Sequence, residues 1–270
     1  FYVWLILFAC CGKMAPRSKK QKRLPMQLSI IRHDCLTPSS NEKLIHSLTL
    51  AVADEAEKLD YAPGDWVTVQ PINKTELVEA IMAELSLQGT EEIELRRVGT
   101  VGVKKALTSY LEITQLNPAI LNKLQRQLQL GNWSGRQEMI DFAFGKDILD
   151  LLDYFPELKK MGVEFLAFLS PLSPRYYSIA SANLNQNQLS ILYRQVCYEH
   201  NGRQRFGVAS NFLCDLAVGD QVEVEIKNNP TFKLPADSST PIVMIAAGTG
   251  IAPFVGFMQQ RARQFGNGEK

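Results

Sequence analysis

The sequence predicts a multidomain α+β protein: an antiparallel barrel or sandwich, interrupted by an inserted all-helical domain and followed by the start of a parallel α/β nucleotide-binding domain. Three observations predict it. Short strand-type runs occupy residues 26–75, a helical period takes over through 76–167, and strand character returns over 168–236. The stretch 237–270 then has a different order, an apolar run, a glycine-rich turn and a helix. A chain that leaves a β unit, makes a helical excursion and comes back describes an insertion.

Taken in order, QLSII, LIHSLTLAVA and WVTVQP are the first strand-type runs, with polar or turn residues between them. Tyr61-Ala62-Pro63-Gly64-Asp65 has the chemistry of a turn joining the second run to the third, since Pro fixes φ and Gly permits φ above zero. Asn73 or Thr75 is placed to cap a helix carrying Leu77, Ile81, Leu85 and Leu87. LTSYL, NPAILNKLQRQLQL and GRQEMIDFAFGKDILDLLDYF extend the helical region, which holds no dense cluster of catalytic residue types and reads as architectural. After about Phe168 come YYSIAS, QLSILYRQVCY and DQVEVEI, with turns such as Asn201-Gly202 between them. In the last stretch Ile242 to Ala246 reads as a wholly apolar strand, the opening of a parallel unit that cannot cover both faces of its sheet alone.

Composition excludes several classes. With 270 residues, 46% of them apolar and 21% charged, the chain can bury a substantial core and is not a disordered polymer. Twenty-nine basic against 28 acidic residues leave no whole-chain field to attract a polyanion, so nucleic acid is not an expected partner. Five cysteines and three histidines show neither a CxxC pair nor metal-ligand spacing, so no metal site is expected and the cysteines read as thiols in a reducing compartment.

The chain opens on Phe1 with the apolar run FYVWLILFACC, followed by Gly12 and the basic residues Lys13, Arg17, Lys19, Lys20, Lys22 and Arg23. Residues 1–11 are too few to span a bilayer, which takes about 20 apolar residues, but they can finish a longer helix. The basic flank then places residues 1–25 as a membrane-proximal tether and linker on the cytoplasmic face of the inner membrane. If the run is instead a core strand or short helix, the expected location is simply cytoplasmic.

Three segments carry candidate chemistry. In Ser173-Pro174-Arg175-Tyr176-Tyr177-Ser178 a cation, two aromatics and a hydroxyl open a strand, with Arg175 and Tyr177 on one face and Tyr176 and Ser178 on the other. A planar ligand with a phosphate tail needs such a stacking ring and cation. In Gly207-Val208-Ala209-Ser210-Asn211 the glycine permits close backbone approach, and Ser210 or Asn211 falls where a helix would start, leaving N–H groups that suit a pyrophosphate; a plain N-cap is the alternative. In Gly248-Thr249-Gly250 a strand-to-helix turn brings glycines within reach of phosphate oxygens, and Pro253 fits the first helical turn, although the third glycine of the usual dinucleotide fingerprint is missing.

Together and in this order, YAPGD, SYLEIT, SPRYYSIAS, GVASNFL and AAGTGIAPF resemble the ferredoxin-NADP reductase superfamily. The helical excursion is similar to that of its diflavin branch, which includes the sulfite reductase flavoprotein subunit and NADPH-cytochrome P450 reductase. The resemblance covers about Met26 to Arg261. It implies that residues 26–75 and 168–236 make an FAD-binding β-barrel, that 76–167 is a connecting insert orienting an FMN domain, and that 237–270 begins an NADP-binding domain.

By the same resemblance, Arg175 would pair with the FAD pyrophosphate, Tyr177 would stack on the isoalloxazine beside Tyr176, and Ser178 would reach the flavin edge where hydride arrives. Val196 and Tyr198 fall in the cofactor-binding stretch ahead of Gly207, Val208, Ala209 and Ser210, which would wrap the pyrophosphate. Gly248, Thr249 and Gly250 would border the nicotinamide of NADPH. The implied activity is hydride transfer from NADPH to FAD and then electron transfer to an FMN domain or a heme protein, with the flavin performing the chemistry. No general base is needed, in keeping with a sequence that suggests no His-carboxylate or Ser-His grouping. Ala246-Ala247 stands where the family has glycine-proline. No flavodoxin-like FMN domain precedes Met26, and the residues that would grip a 2'-phosphate fall beyond Lys270, so a longer chain is expected and the preference for NADPH rests on the resemblance alone. The alternative from another class is an FAD-binding or docking module without turnover of its own. A methyltransferase or short-chain dehydrogenase fits poorly, since both place the glycine loop near the start of their parallel domain.

Overall fold

Strict alternation of apolar residues sets which face of each strand is buried, and here it builds one antiparallel sheet around one core. The computed structural model describes residues 25–265, apart from 39, 41, 42, 55 and 186. The expected tether of residues 1–11 and its basic flank lie outside the described residues. Among the described residues, no helix is long and apolar enough to cross a membrane.

Strands β1 (Met26–Cys35), β2 (Ile45–Ala51) and β3 (Trp66–Val69) precede the helical region. Strands β6 (Arg175–Ser178), β7 (Gln188–Arg194) and β10 (Gln221–Lys227) follow it. The six pair in the order β6-β3-β10-β1-β2-β7, every neighbour antiparallel. The edges of this sheet meet: Ile179, just past β6, bridges Ile191 in β7, and Ala180 N–H donates to Ser190 O at 2.7 Å. Leu28, Leu48, Leu50, Val67, Val69, Leu189, Ile191, Val222 and Val224 fill the interior. Leu213 of helix α6 (Val208–Asp215) belongs to the same core.

The excursion between β3 and β6 has its own apolar core, which includes Val78, Ile81, Leu107, Ile120, Leu124, Leu151 and Phe165. It contains α1 (Thr75–Glu84), α2 (Val103–Ser109), α3 (Pro118–Leu128), α4 (Arg136–Ala143), α5 (Ile148–Tyr154) and a kinked 3-10 segment, Pro156–Phe168. It is not all helical. The antiparallel hairpin β4 (Glu92–Leu95) and β5 (Gly99–Gly102) lies within it, because Ile93, Leu95 and Val101 pack on the helical core while the glutamates between them face outward.

The helix starts depart from expectation in a physically clear way. Lys74, not Asn73 or Thr75, occupies the N-cap of α1 and makes no side-chain cap bond. Asn73 is buried instead, its Nδ2 donating to Leu107 O at 2.6 Å and Leu111 O at 2.8 Å, which stitches the start of α1 to the end of α2. Two carbonyls, one in α2 and one just past its end, outweigh one local N–H. Leu87 lies past the end of α1.

The last segment holds a further correction. Residues 242–246 are in no strand, and Val243 and Ile245 are 80% and 63% exposed. An apolar run becomes a strand only where a neighbour takes its N–H and C=O groups, and no described residue does so here. The helix after it, α7 (Ala252–Phe265), forms as expected.

Candidate functional site

The RYYS segment is strand β6, and its register on β3 sets Trp66 against Ser178, Val67 against Tyr177 and Val69 against Arg175. Alternation then separates the side chains as expected. Tyr176 is exposed and meets Trp66 edge-on, with centroids 6.0 Å apart. Tyr177 packs on the sheet core with its ring 6.3 Å from that of Tyr193. Arg175 donates from Nη1 to Ser173 O at 2.6 Å and from Nη2 to Glu112 Oε2 at 2.8 Å.

Glu112 is the residue that motif reading missed. It is buried, 63 positions upstream of Arg175 in the SYLEIT segment, and its other oxygen accepts from Thr114 N at 3.0 Å and Thr114 Oγ1 at 2.6 Å. A carboxylate held by its own loop thus fixes the guanidinium from the helical side, leaving further N–H donors of Arg175 to serve something else. Glu112, Asn117, Ser170, Ser173 and Arg175 line a cleft of ≈ 260 Å³. The signal in the sequence was the SYLEIT segment itself, one of the five that carry the resemblance, but it gave Glu112 no role.

The GVAS segment begins α6, with Gly207 at the N-cap. Ser210 and Asn211 therefore lie inside the first turn rather than ahead of it. Gly207 N–H donates to Val196 O at 2.9 Å, Val196 N–H donates to Ser210 Oγ at 3.1 Å, and Asn211 Nδ2 donates to Val196 O at 2.7 Å and Gly207 O at 2.9 Å. A Cβ on Gly207 would stand 2.8 Å from Val196 Cβ, so glycine is required for this approach. The Ser210 hydroxyl is committed to the backbone, so what the helix start offers is the N–H groups of Val208, Ala209 and Ser210, which lack intrahelical acceptors, at the positive end of the helix dipole.

Between β7 and α6 runs a second hairpin, β8 (Cys197–His200) and β9 (Arg203–Phe206), turning at Asn201 (φ +51°) and Gly202 (φ +71°). Tyr198 lies on it, half exposed, and burial of the rest pushes its phenol above the ordinary value. Arg203 and Arg205 of β9 bind Asp147 and Asp150 at the start of α5. Burial opposes ionisation of Asp150, but the Asp147 backbone N–H and the two guanidiniums hold its carboxyl below the usual range.

The sheet edges approach at the Ile179–Ile191 bridge, and the Tyr177 ring lies 6.3 Å from that of Tyr193 in β7, the strand that leads into Gln195 and Val196. Gln195 and Val196 in turn hold Asn211 and Ser210. The third motif stays apart in character: Gly248–Ile251 is an exposed 3-10 turn, Gly248 has φ +56°, and its position is beside β7.

One grouping was not visible in the sequence. His33, His46, Tyr193 and Cys214 come together where α6 meets the sheet: His33 Nδ1 donates to Leu216 O at 3.1 Å, so His33 Nε2 accepts from the Tyr193 hydroxyl at 2.7 Å, and Cys214 Sγ is 3.7 Å from His46 Nε2. Burial pushes the Cys214 thiol and the Tyr193 phenol up, so neither is an activated group.

A six-stranded antiparallel sheet whose edge strand bears Arg-Tyr-Tyr-Ser, together with a helix N-terminus that Gly207 brings against Val196, has the make-up of a flavin-binding module. The family model described as an FAD binding domain matches residues 18–212. The chain is 34% identical over 249 residues to the sulfite reductase [NADPH] flavoprotein alpha-component of Photorhabdus laumondii, covering 89% of this chain and 40% of that protein. It is 33% identical over 249 residues to the same component of Bacillus subtilis, at 88% and 40% coverage. It is 31% identical over 271 residues to NADPH oxidoreductase A of Dictyostelium discoideum, at 91% and 42%. The chain belongs to the FAD-binding domain family, in the diflavin reductase branch of the ferredoxin-NADP reductase superfamily. It spans about 40% of the length of the relatives it matches.

Proposed function

We propose that the chain holds FAD along the seam between β6 and the Val196–Ser210 segment, as part of a reductase that moves electrons from NADPH through FAD to an FMN or heme acceptor. The single observation that supports this is the approach of β6 to β7 at Ile179–Ile191 and Tyr177–Tyr193, with the segment just after β7, Gln195 and Val196, holding the α6 N-terminus. A guanidinium with donors to spare and a row of unpaired N–H groups suit a diphosphate.

In this reading Tyr177 supports the ring system, Ser178 offers its hydroxyl to the ring edge, and Tyr198 covers the adenylate end. The bound flavin supplies the redox chemistry, accepting a hydride and releasing electrons singly. The protein's own residues bind, orient and exclude water; none moves a proton in the step they serve. Gly248, Thr249 and Gly250 border the nicotinamide, and the helical region is the connecting insert that orients the acceptor domain. Glu112 is a positioning residue, since it acts on the cofactor only through Arg175. The barrel reading of the sheet rests on the meeting of its edges at Ile179 and Ile191.

Purified protein reconstituted with FAD should show bound-flavin absorbance, and Arg175→Ala should weaken FAD binding by about 10-fold to 100-fold, the worth of a charge-assisted contact to phosphate. A protein that stays colourless after reconstitution would refute the proposal. The exposure of Val243, Ile245 and the glycine turn favours a second reading for these 270 residues, a flavin-binding module without turnover. Anaerobic mixing of the FAD-loaded chain with NADPH separates the two, because bleaching marks the reductase and persistent yellow colour the module.

A further inference from the structure

A two-stranded hairpin is marginally stable by itself in water. The β8–β9 hairpin is such a unit: its two strands pair only with each other, outside the six-stranded sheet. It leaves the fold at Val196 and returns at Gly207, the two residues joined by the Gly207 N–H to Val196 O bond, so any play in the hairpin pivots about the α6 N-terminus. Something else must hold its far end.

Four charged groups do so. Arg205, 3% exposed, donates from Nη2 to Asp150 Oδ1 and Oδ2 at 2.8 Å each and places Nε 3.2 Å from Asp147 Oδ2. Arg203 donates to Asp147 Oδ1 at 3.0 Å and Asp150 Oδ1 at 2.7 Å. The two aspartates are themselves fixed, since they form the capping box of α5. A Cβ on Gly145 would stand 2.7 Å from the ring of His200, so the hairpin tip rests on backbone in a notch that only glycine leaves open. Lys74 Nζ lies 4.6 Å over the Phe206 ring at the hairpin base. In the hairpin register Arg205 is the direct cross-strand partner of Tyr198, and Arg203 of His200.

We propose that the quartet Asp147, Asp150, Arg203 and Arg205 is a positioning device that locks the β8–β9 hairpin to the insert, so that Tyr198 is presented at a fixed height beside the α6 N-terminus and the site prefers a dinucleotide flavin over a mononucleotide one. The proposal rests on the FAD reading above. Two carboxylates against two guanidiniums carry no net charge, so the quartet adds little field at a diphosphate and works through geometry. In the FAD reading the hairpin, which leaves the fold at Val196 and returns at Gly207, continues past the segment assigned to the diphosphate, on the side where the adenylate half of a dinucleotide would extend. FMN ends at its phosphate and does not reach it.

The test measures dissociation constants of FAD and FMN for the whole chain by quenching of flavin fluorescence. Asp150→Asn should weaken FAD by about tenfold, the scale of one base-aromatic stacking contact, and leave FMN within about twofold. Arg203→Gln, which removes the half-exposed arm and leaves Arg205 in place, should shift FAD in the same direction by a smaller factor with the fold intact. In a Tyr198→Ala background Asp150→Asn should add no further loss of FAD affinity. Equal losses for FAD and FMN, no change in either with a folded variant, or full additivity with Tyr198→Ala would each overturn the proposal. Wild-type protein that binds FMN but not FAD would overturn it while leaving a flavin site, and wild-type protein that binds neither would overturn the cofactor reading beneath it.

Discussion

Replacing Asp65 by asparagine changes one atom at the point where the sheet is fastened to the segment leading to α7. The side chain is 5% exposed; Oδ2 accepts from Ala62 N at 2.9 Å, while Oδ1 accepts from Asn229 N at 2.7 Å and from Lys233 Nζ at 2.6 Å. An amide keeps one oxygen and presents an NH2 group in place of the other, so whichever way it turns, a donor faces a buried donor. That mismatch costs about 1–3 kcal/mol. Loss of the charge opposite Lys233, which is 29% exposed, adds about 1 kcal/mol or less. The total of about 1–4 kcal/mol corresponds to a fall of roughly 2–16 °C in Tm for a body of 150–250 residues. Urea unfolding at neutral pH measures the first quantity and a thermal melt the second. Lys233→Met, which leaves both backbone bonds to Asp65, should cost about 1 kcal/mol or less. Asp65→Asn within about 0.5 kcal/mol of wild type, or Lys233→Met as damaging as Asp65→Asn, would show that the turn is not held by this carboxylate.

Other outcomes follow from the same geometry. Gly64→Ala should destabilise by more than about 2 kcal/mol in the same unfolding assay, because Gly64 has φ +90° and the new Cβ would lie 1.9 Å from Phe232 O. His46 is held below its ordinary value of 6.5 by burial and then by the neighbouring His33, opposed by a hydrogen bond with Gln195. Its folded pKa is lower than its unfolded one, so stability is full above pH 6.5 and falls as pH drops through the window below it. Urea midpoints between pH 7 and 5.5 should show that slope, and His46→Gln should flatten it. Cys214 should resist iodoacetamide at pH 8 while exposed Cys35 and Cys197 react, as mass spectrometry of labelled peptides would record.

The six strands were legible because alternation survives in short windows, as in QVEVEIK with its buried Val222, Val224 and Ile226. The Asn201-Gly202 turn was legible because both residues take positive φ. Pairings across long sequence gaps were not. Glu112 and Arg175 are 63 positions apart, and Asp150 and Arg205 are 55 apart, so nothing local in the sequence shows that these charges pair. The β4–β5 hairpin hid inside a helical stretch because its strands are four residues each and rich in glutamate or glycine. Asn73 misled as a cap because a local rule cannot anticipate carbonyls brought in by α2. Residues 242–246 misled for the opposite reason, since apolar character marks a strand only when a partner is present.

The most direct measurement is a crystal structure of the chain grown with FAD. The diphosphate should lie between the Arg175 guanidinium and the backbone N–H groups of Val208 to Ser210, with the flavin ring toward Tyr177 and the adenine toward Tyr198. Density for FAD elsewhere on the molecule, or a diphosphate that touches only one of those two anchors, would contradict the shared site on which the functional proposal stands.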